Sequence, residues 1–213
     1  MNMGFRRWIG IVGAVVYGVG FVLVSSVPGG GDVDDSDFED FYVTDENTAL
    51  PIVGLFVLTI GVLAMLWFFH ELRTAVGTAD GGLGWAAAAL GLAVVVTGAS
   101  VLAGPSGVQA FSDADFVGAP VAHALAQAGF AAMLVPGSLV LGAGVAMLSF
   151  AGRRAGVLVP WVAIAGFVAG ALQLFAFIWI PHFAIPLWVI LAAAAGAGMT
   201  PRAATATASV HPA

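Results

Sequence analysis

The residues of this chain that could carry chemistry are a few polar groups set in apolar sequence. His123 and Gln127 stand four apart, which puts both on one face of a helix. Ser138 follows beyond Pro136, Gln173 lies deep in a later apolar run, and His182 occupies the turn "IPHFAIP". A His–Gln face beside a helix broken at Pro136–Gly137 would suit coordination of a small polar solute, because broken helices line cavities. Two histidines at one depth, His123 and His182, would suit ligation of a haem or a metal. His123, Gln127, Ser138, Gln173 and His182 are therefore the candidate polar cluster. Tyr17, Thr97 and Ser100 are further polar groups within apolar runs.

Each of these has a simpler reading. His123 and Gln127 cost little if they lie at headgroup level. Gln173 would serve as packing glue if it bonds a neighbouring backbone. No HxxxH and no carboxylate pattern supports a haem or metal centre, so no ligand set and no cofactor are assigned. His70 reads as a helix-end residue beside Glu71, and His211 belongs to the tail. No catalytic residue is assigned either. Walker, GxSxG, HExxH and dinucleotide patterns are absent. The chain has no cysteine, which removes disulfides, thiolate metal sites and cysteine nucleophiles together.

One stretch differs from the rest: "GGGDVDDSDFEDFYVTDENTAL", residues 29–50, with eight carboxylates and no cation. An EF-hand needs Gly at position 6 and Glu at position 12. Counted from Asp32 those places hold Asp37 and Val43, so the pattern fails. The expectation is a solvated, flexible loop.

The elements that would position these residues follow from composition. The chain has 213 residues, 61% hydrophobic and 8% charged, with mean hydropathy +1.04. A soluble domain has about 25% charged residues, so the class is an all-α integral membrane protein. Six apolar segments are predicted: 8–27, 50–69, 84–104, 119–152, 157–180 and 183–199, the last one short. They form one membrane domain over residues 1–200, with an acidic external loop at 28–49 and a disordered cytoplasmic tail at 201–213. Arg6, Arg7, Arg73, Arg153, Arg154 and Arg202 all fall on one side of a six-span arrangement. Arginine collects in cytoplasmic loops, so both termini are expected in the cytoplasm and the chain in the plasma membrane. Trp8, Trp67, Trp85, Trp161, Trp179 and Trp188 lie mostly near span ends, as an aromatic belt requires. Segment one exceeds the usual signal-peptide core and reads as an uncleaved anchor.

Depth follows by counting at about 1.5 Å per residue. Gln127 and His123 come about 39 and about 45 Å from Arg153, past a hydrocarbon core about 30 Å thick. Gln173 falls inside that core. Small-residue stripes give the expected packing faces: Gly10, Ala14 and Gly18; Ser138, Gly142 and Ala146; Gly166 and Gly170; Ala192 and Gly196. Segments 1–3 and 4–6 would run in opposite senses, the geometry of an inverted repeat.

Asp, Glu, Lys and Arg are missing from hydrocarbon depth, which counts against a proton-coupled pump or an intramembrane aspartyl protease. An acidic excess without a basic face excludes nucleic acid. The expected role is a non-enzymatic structural or accessory protein whose partners are the bilayer and another membrane protein or a second copy of itself. The alternative is a small-solute transporter or ligand-binding protein with an outward-facing cavity. A haem- or metal-binding redox protein is the distant third.

Overall fold

The computed structural model describes residues 3–29, 33–43, 45–111 and 117–196. The predicted tail at 201–213 lies outside these residues, as do residues 112–116 between the third and fourth segments. Among the described residues the chain is all-helical. Among the described residues, five helical segments are long and apolar enough to cross a membrane: Arg7–Val24, Asn47–Val76, Gly81–Leu102, Ala119–Arg154 and Pro160–Ile178. The chain is thus a multi-pass helical membrane protein.

The long helices are α1 (Met3–Val24), α3 (Asp45–Val76) and α4 (Thr78–Leu102). Next come α6 (Ala119–Ala132) and α7 (Ser138–Arg154), joined without a break by a π-helical turn at Met133–Gly137. Pro136 sits in that turn, and the wider register carries the ladder past a residue that has no N–H to give. Then follow α8 (Pro160–Leu172) and α9 (Ala184–Ala194). Two short helices, α2 (Asp35–Val43) and α5 (Gly104–Phe111), cap one end. The long helices pack in a ring, α1 on α3, α3 on α4, α4 on α6 and α7, α7 on α8, α8 on α9, and α9 back on α1.

Segments five and six differ from their expected form. The run 157–180 is α-helical only to Leu172 and then tightens into a 3₁₀ stretch, Gln173–Ile178. A second 3₁₀ piece, Ile180–Phe183, leads into the sixth, which forms the short α9.

Glycine sets the interfaces, though not by the expected stripes alone. A Cβ on Gly20, Gly54 or Gly61 would overlap the backbone of Leu58, Val24 or Tyr17 respectively, so α1 and α3 touch main chain to main chain. On α4, Gly84, Gly91 and Gly98 recur every seven residues and meet Leu148, Leu141 and Gly129. Seven-residue spacing keeps one seam facing its partner over several turns. The stripe on α7 does meet α8, with Gly142 against Gly170 and Ala146 beside it. Gly18, by contrast, lines an apolar groove beside α9. The same contacts put Gly10 beside Phe68 and Gly81 beside Arg73, and Gly84 beside Leu148, so Arg7, Arg73, Arg153 and Arg154 share one end of the bundle.

The acidic stretch is more ordered than its composition suggests. Asp34 caps α2: its Oδ1 accepts the Ser36 N–H at 2.8 Å, while Asp37 reaches back to the Asp34 N–H at 2.9 Å. This reciprocal capping box starts the helix, and carboxylates in its first turn suit the helix dipole. The Ser36 hydroxyl and then the Ser36 and Asp37 N–H groups hold the Asp34 carboxyl below its ordinary range. The cap therefore persists as pH falls through the ordinary carboxylate pKa and is lost only below it. Phe38 and Tyr42, four apart, are buried. A fully apolar loop face was not needed; two aromatic residues at helical spacing suffice to dock the helix.

Candidate functional site

The structure divides the five candidate residues into two groups. His123 and Gln127 belong to the acidic cap. The His123 Nδ1 lies 3.0 Å from Asp35 Oδ1, its Nε2 lies 3.5 Å from the Gln127 amide, and Phe38 stacks on its ring at 5.0 Å between centroids. His123 is thus the post on which α2 rests. Gln109 of α5 adds a bond to the Tyr42 carbonyl at 3.2 Å.

Ser138, Gln173 and His182 come together inside the bundle, with Tyr17 as a fourth member. Each of the four is at most 1% exposed. Tyr17 Oη is 2.6 Å from His182 Nε2, and Ser138 Oγ is 2.8 Å from His182 Nδ1. Ser138 Oγ is also 3.0 Å from the Met133 carbonyl, inside the π turn. A carbonyl only accepts, so Ser138 gives its one proton to Met133 and must accept from His182. His182 then carries its proton on Nδ1, and Nε2 accepts from Tyr17. One neutral chain results, Tyr17 O–H to His182 to Ser138 to Met133, with every proton used. Phe21 stacks on the imidazole at 4.1 Å between centroids.

Three backbone departures aim these groups. The π turn presents the Met133 carbonyl to Ser138. The 3₁₀ stretch starts at Gln173. Trp179 has φ 73°, ψ −58°, the values of the rare γ-turn with positive φ. A bulky residue held there costs about 1–3 kcal/mol. The turn folds inward as a result, and Trp179 is held between Phe21 and Phe130, at 5.6 and 5.7 Å.

Gln173 fastens this turn. Its Nε2 donates to the Ala169 carbonyl at 3.1 Å and to the Pro181 carbonyl at 2.8 Å. Two carbonyls facing one amide require the NH₂ to point at them, which turns Oε1 the other way. That oxygen is buried and has no partner among the described residues. Thr97 and Ser100 return their protons to carbonyls four residues back on their own helix.

Chemically, Ser138 beside His182 resembles a nucleophile beside a base only at first sight. The imidazole nitrogen facing the serine holds a proton, so it cannot take one. The two histidines of the haem or metal reading have separate partners, Asp35 for one and Tyr17 with Ser138 for the other. Among the described residues no group of three or more His, Asp or Glu side chains is placed to hold a metal ion.

Sequence reasoning did not find the role of Tyr17, which meets His182 across 165 positions. Nor did it find Phe21. The prolines of "IPHFAIP" marked a turn there, but nothing in the sequence marked the positive φ of Trp179.

Fold and site together define a multi-pass helical membrane protein with a buried polar network in its bundle. No family model, no curated protein and no solved structure matches this chain.

Proposed function

We propose that this chain is a six-span, non-enzymatic plasma-membrane protein, with both termini in the cytoplasm, that acts by presenting an acidic platform to a membrane partner. One observation carries the reading. Helix α2 is fixed by Phe38 and Tyr42, while Asp37, Glu39 and Asp40 remain exposed on it. A flexible acidic loop needs no buried aromatic anchor; a surface that must keep its shape does. Grouping of the arginines at the opposite end supports the orientation.

The platform is tested with a photo-reactive side chain at position 39 in intact membranes. A discrete adduct is expected, and its yield should fall several-fold when Phe38→Ala undocks α2. Loss of Phe38 packing costs about 3–5 kcal/mol, enough to free so short a helix. An adduct indifferent to Phe38→Ala would discard the platform. Orientation has its own test, made simple by the absent cysteines. Val43→Cys should react with an impermeant thiol reagent on intact cells, and Thr74→Cys only after permeabilisation. The reverse pattern would invert the protein.

A second reading, a small-solute transporter or ligand-binding protein, is favoured by the orphaned Oε1 of Gln173 beside two distorted helices. The network would then be the closed state of a polar site. Cysteine at position 138 or 173 should label from outside if such a site opens, and stay unreactive if the bundle is permanently packed.

A further inference from the structure

We propose that the arginine end of the bundle holds an anionic phospholipid, with its headgroup on Arg153 and Arg154 and one acyl chain running between α7 and α8 toward α4. Two grooves meet there. The first, about 810 Å³, opens at Arg153, Arg154 and Pro160. The second, about 350 Å³, lies among Leu83, Ala146 and Met147. Phe150 and Phe167 wall both, so the two grooves adjoin, the first bearing the arginines and the second lined by apolar residues. The two rings meet edge to face at 6.4 Å and form the rib between the grooves. From Arg153 to Ala146 the paired grooves descend about 10 Å along α7, from headgroup level into hydrocarbon.

The occupant follows from charge and size. Arg153 and Arg154 are both exposed, and neither has an ion-pair partner among the described residues. Arg154 lies over the Phe150 ring at 5.5 Å, which leaves its guanidinium edge free to donate. Two unpaired cations favour a negative headgroup over a zwitterionic one. The first turn of α8 opens at the same mouth, and its dipole also favours an anion. A soluble anion would leave the apolar half empty. An acyl chain matches the apolar lining of the lower groove, and an anionic headgroup the two arginines above it.

The test is native mass spectrometry of the full chain in neutral detergent, titrated with dioleoyl phosphatidylglycerol or dioleoyl phosphatidylcholine. Each surface arginine favours anionic lipid about 5-fold, so the pair should give a preference of about 30-fold. R153Q/R154Q should abolish the preference, and R153K/R154K should keep most of it while showing that the site still folds. Leu83→Trp, at an exposed position, should weaken both lipids by filling the lower groove. Inorganic phosphate at matched concentration should not displace phosphatidylglycerol. Equal binding of the two lipids, a preference that survives R153Q/R154Q, or displacement by phosphate would each overturn the proposal, the last by showing an anion site without a lipid chain.

Discussion

Replacing Gly61 with leucine will cost the fold about 3 kcal/mol or more, a loss that falls on the α1–α3 seam of the bundle. The new Cβ would overlap the Tyr17 backbone nitrogen and Cα. Main chain cannot rotate away as a side chain can, so α1 and α3 must separate. Overpacking of a well-filled site costs about 1–3 kcal/mol, and here two further losses add to it. Separation opens the Gly20–Leu58 and Gly54–Val24 contacts on the same seam. It also carries the Tyr17 hydroxyl away from His182. Equilibrium unfolding in mixed micelles measures the effect. Gly82→Ala is the matched control, since nothing lies within 4 Å of the added carbon in α4. It should stabilise by up to about 1 kcal/mol through helix propensity. A Gly61→Leu protein as stable as the parent would mean that α1 and α3 do not meet in this way.

That seam also shows how far the sequence could be read. Composition excludes a soluble globule, because 8% charged residues cannot cover one, and the continuous apolar runs make the membrane protein helical. The stripes with four-residue spacing pointed to some true faces, as at Gly142 and Gly170. They missed the seven-residue series on α4, since in a chain with 29 glycines many spacings occur and only the partner selects among them. Gly18 illustrates the same limit, being small but facing a groove.

The polar groups were legible as types and not as a network. Ser138 and Gln173 were found because a polar residue in an apolar helix is expensive, and His182 because it shares a depth with His123 in the turn "IPHFAIP". Their meeting depends on a π turn, a 3₁₀ stretch and a γ-turn, none of which leaves a periodic mark in sequence. Straight-helix counting put Gln173 within an apolar span but could not bend the chain after it, where the backbone turns His182 inward to Tyr17. The acidic stretch was misjudged for a related reason. Composition gave a solvated loop, while Asp34 and Asp37 at capping spacing, with Phe38 and Tyr42 four apart, encoded a short docked helix.

The buried network yields the sharpest expectation on stability. Tyr17→Phe leaves His182 Nε2 as a buried acceptor without a donor, and His182→Phe leaves the Tyr17 hydroxyl buried without an acceptor. Each should cost about 1–2 kcal/mol, the range for buried polar groups within membrane bundles. Tyr17→Phe/His182→Phe removes both partners and keeps two rings against Phe21. It should cost less than either single change, because replacing a hydrogen-bonded pair by apolar groups of similar shape is nearly neutral. The double-mutant cycle should therefore return a coupling of about 1 kcal/mol or more. Additive losses would mean that the hydroxyl and the imidazole act independently, and the proton order derived from Met133 and Ser138 would fall with them. If the double variant folds as well as the parent, burying these polar groups gains nothing that two phenylalanines would not supply. Trp179 is held in a strained turn to bring His182 there, so the backbone cost of about 1–3 kcal/mol would then be borne for something other than stability. That result would turn attention to Oε1 of Gln173, the one polar atom at the site still lacking a partner among the described residues.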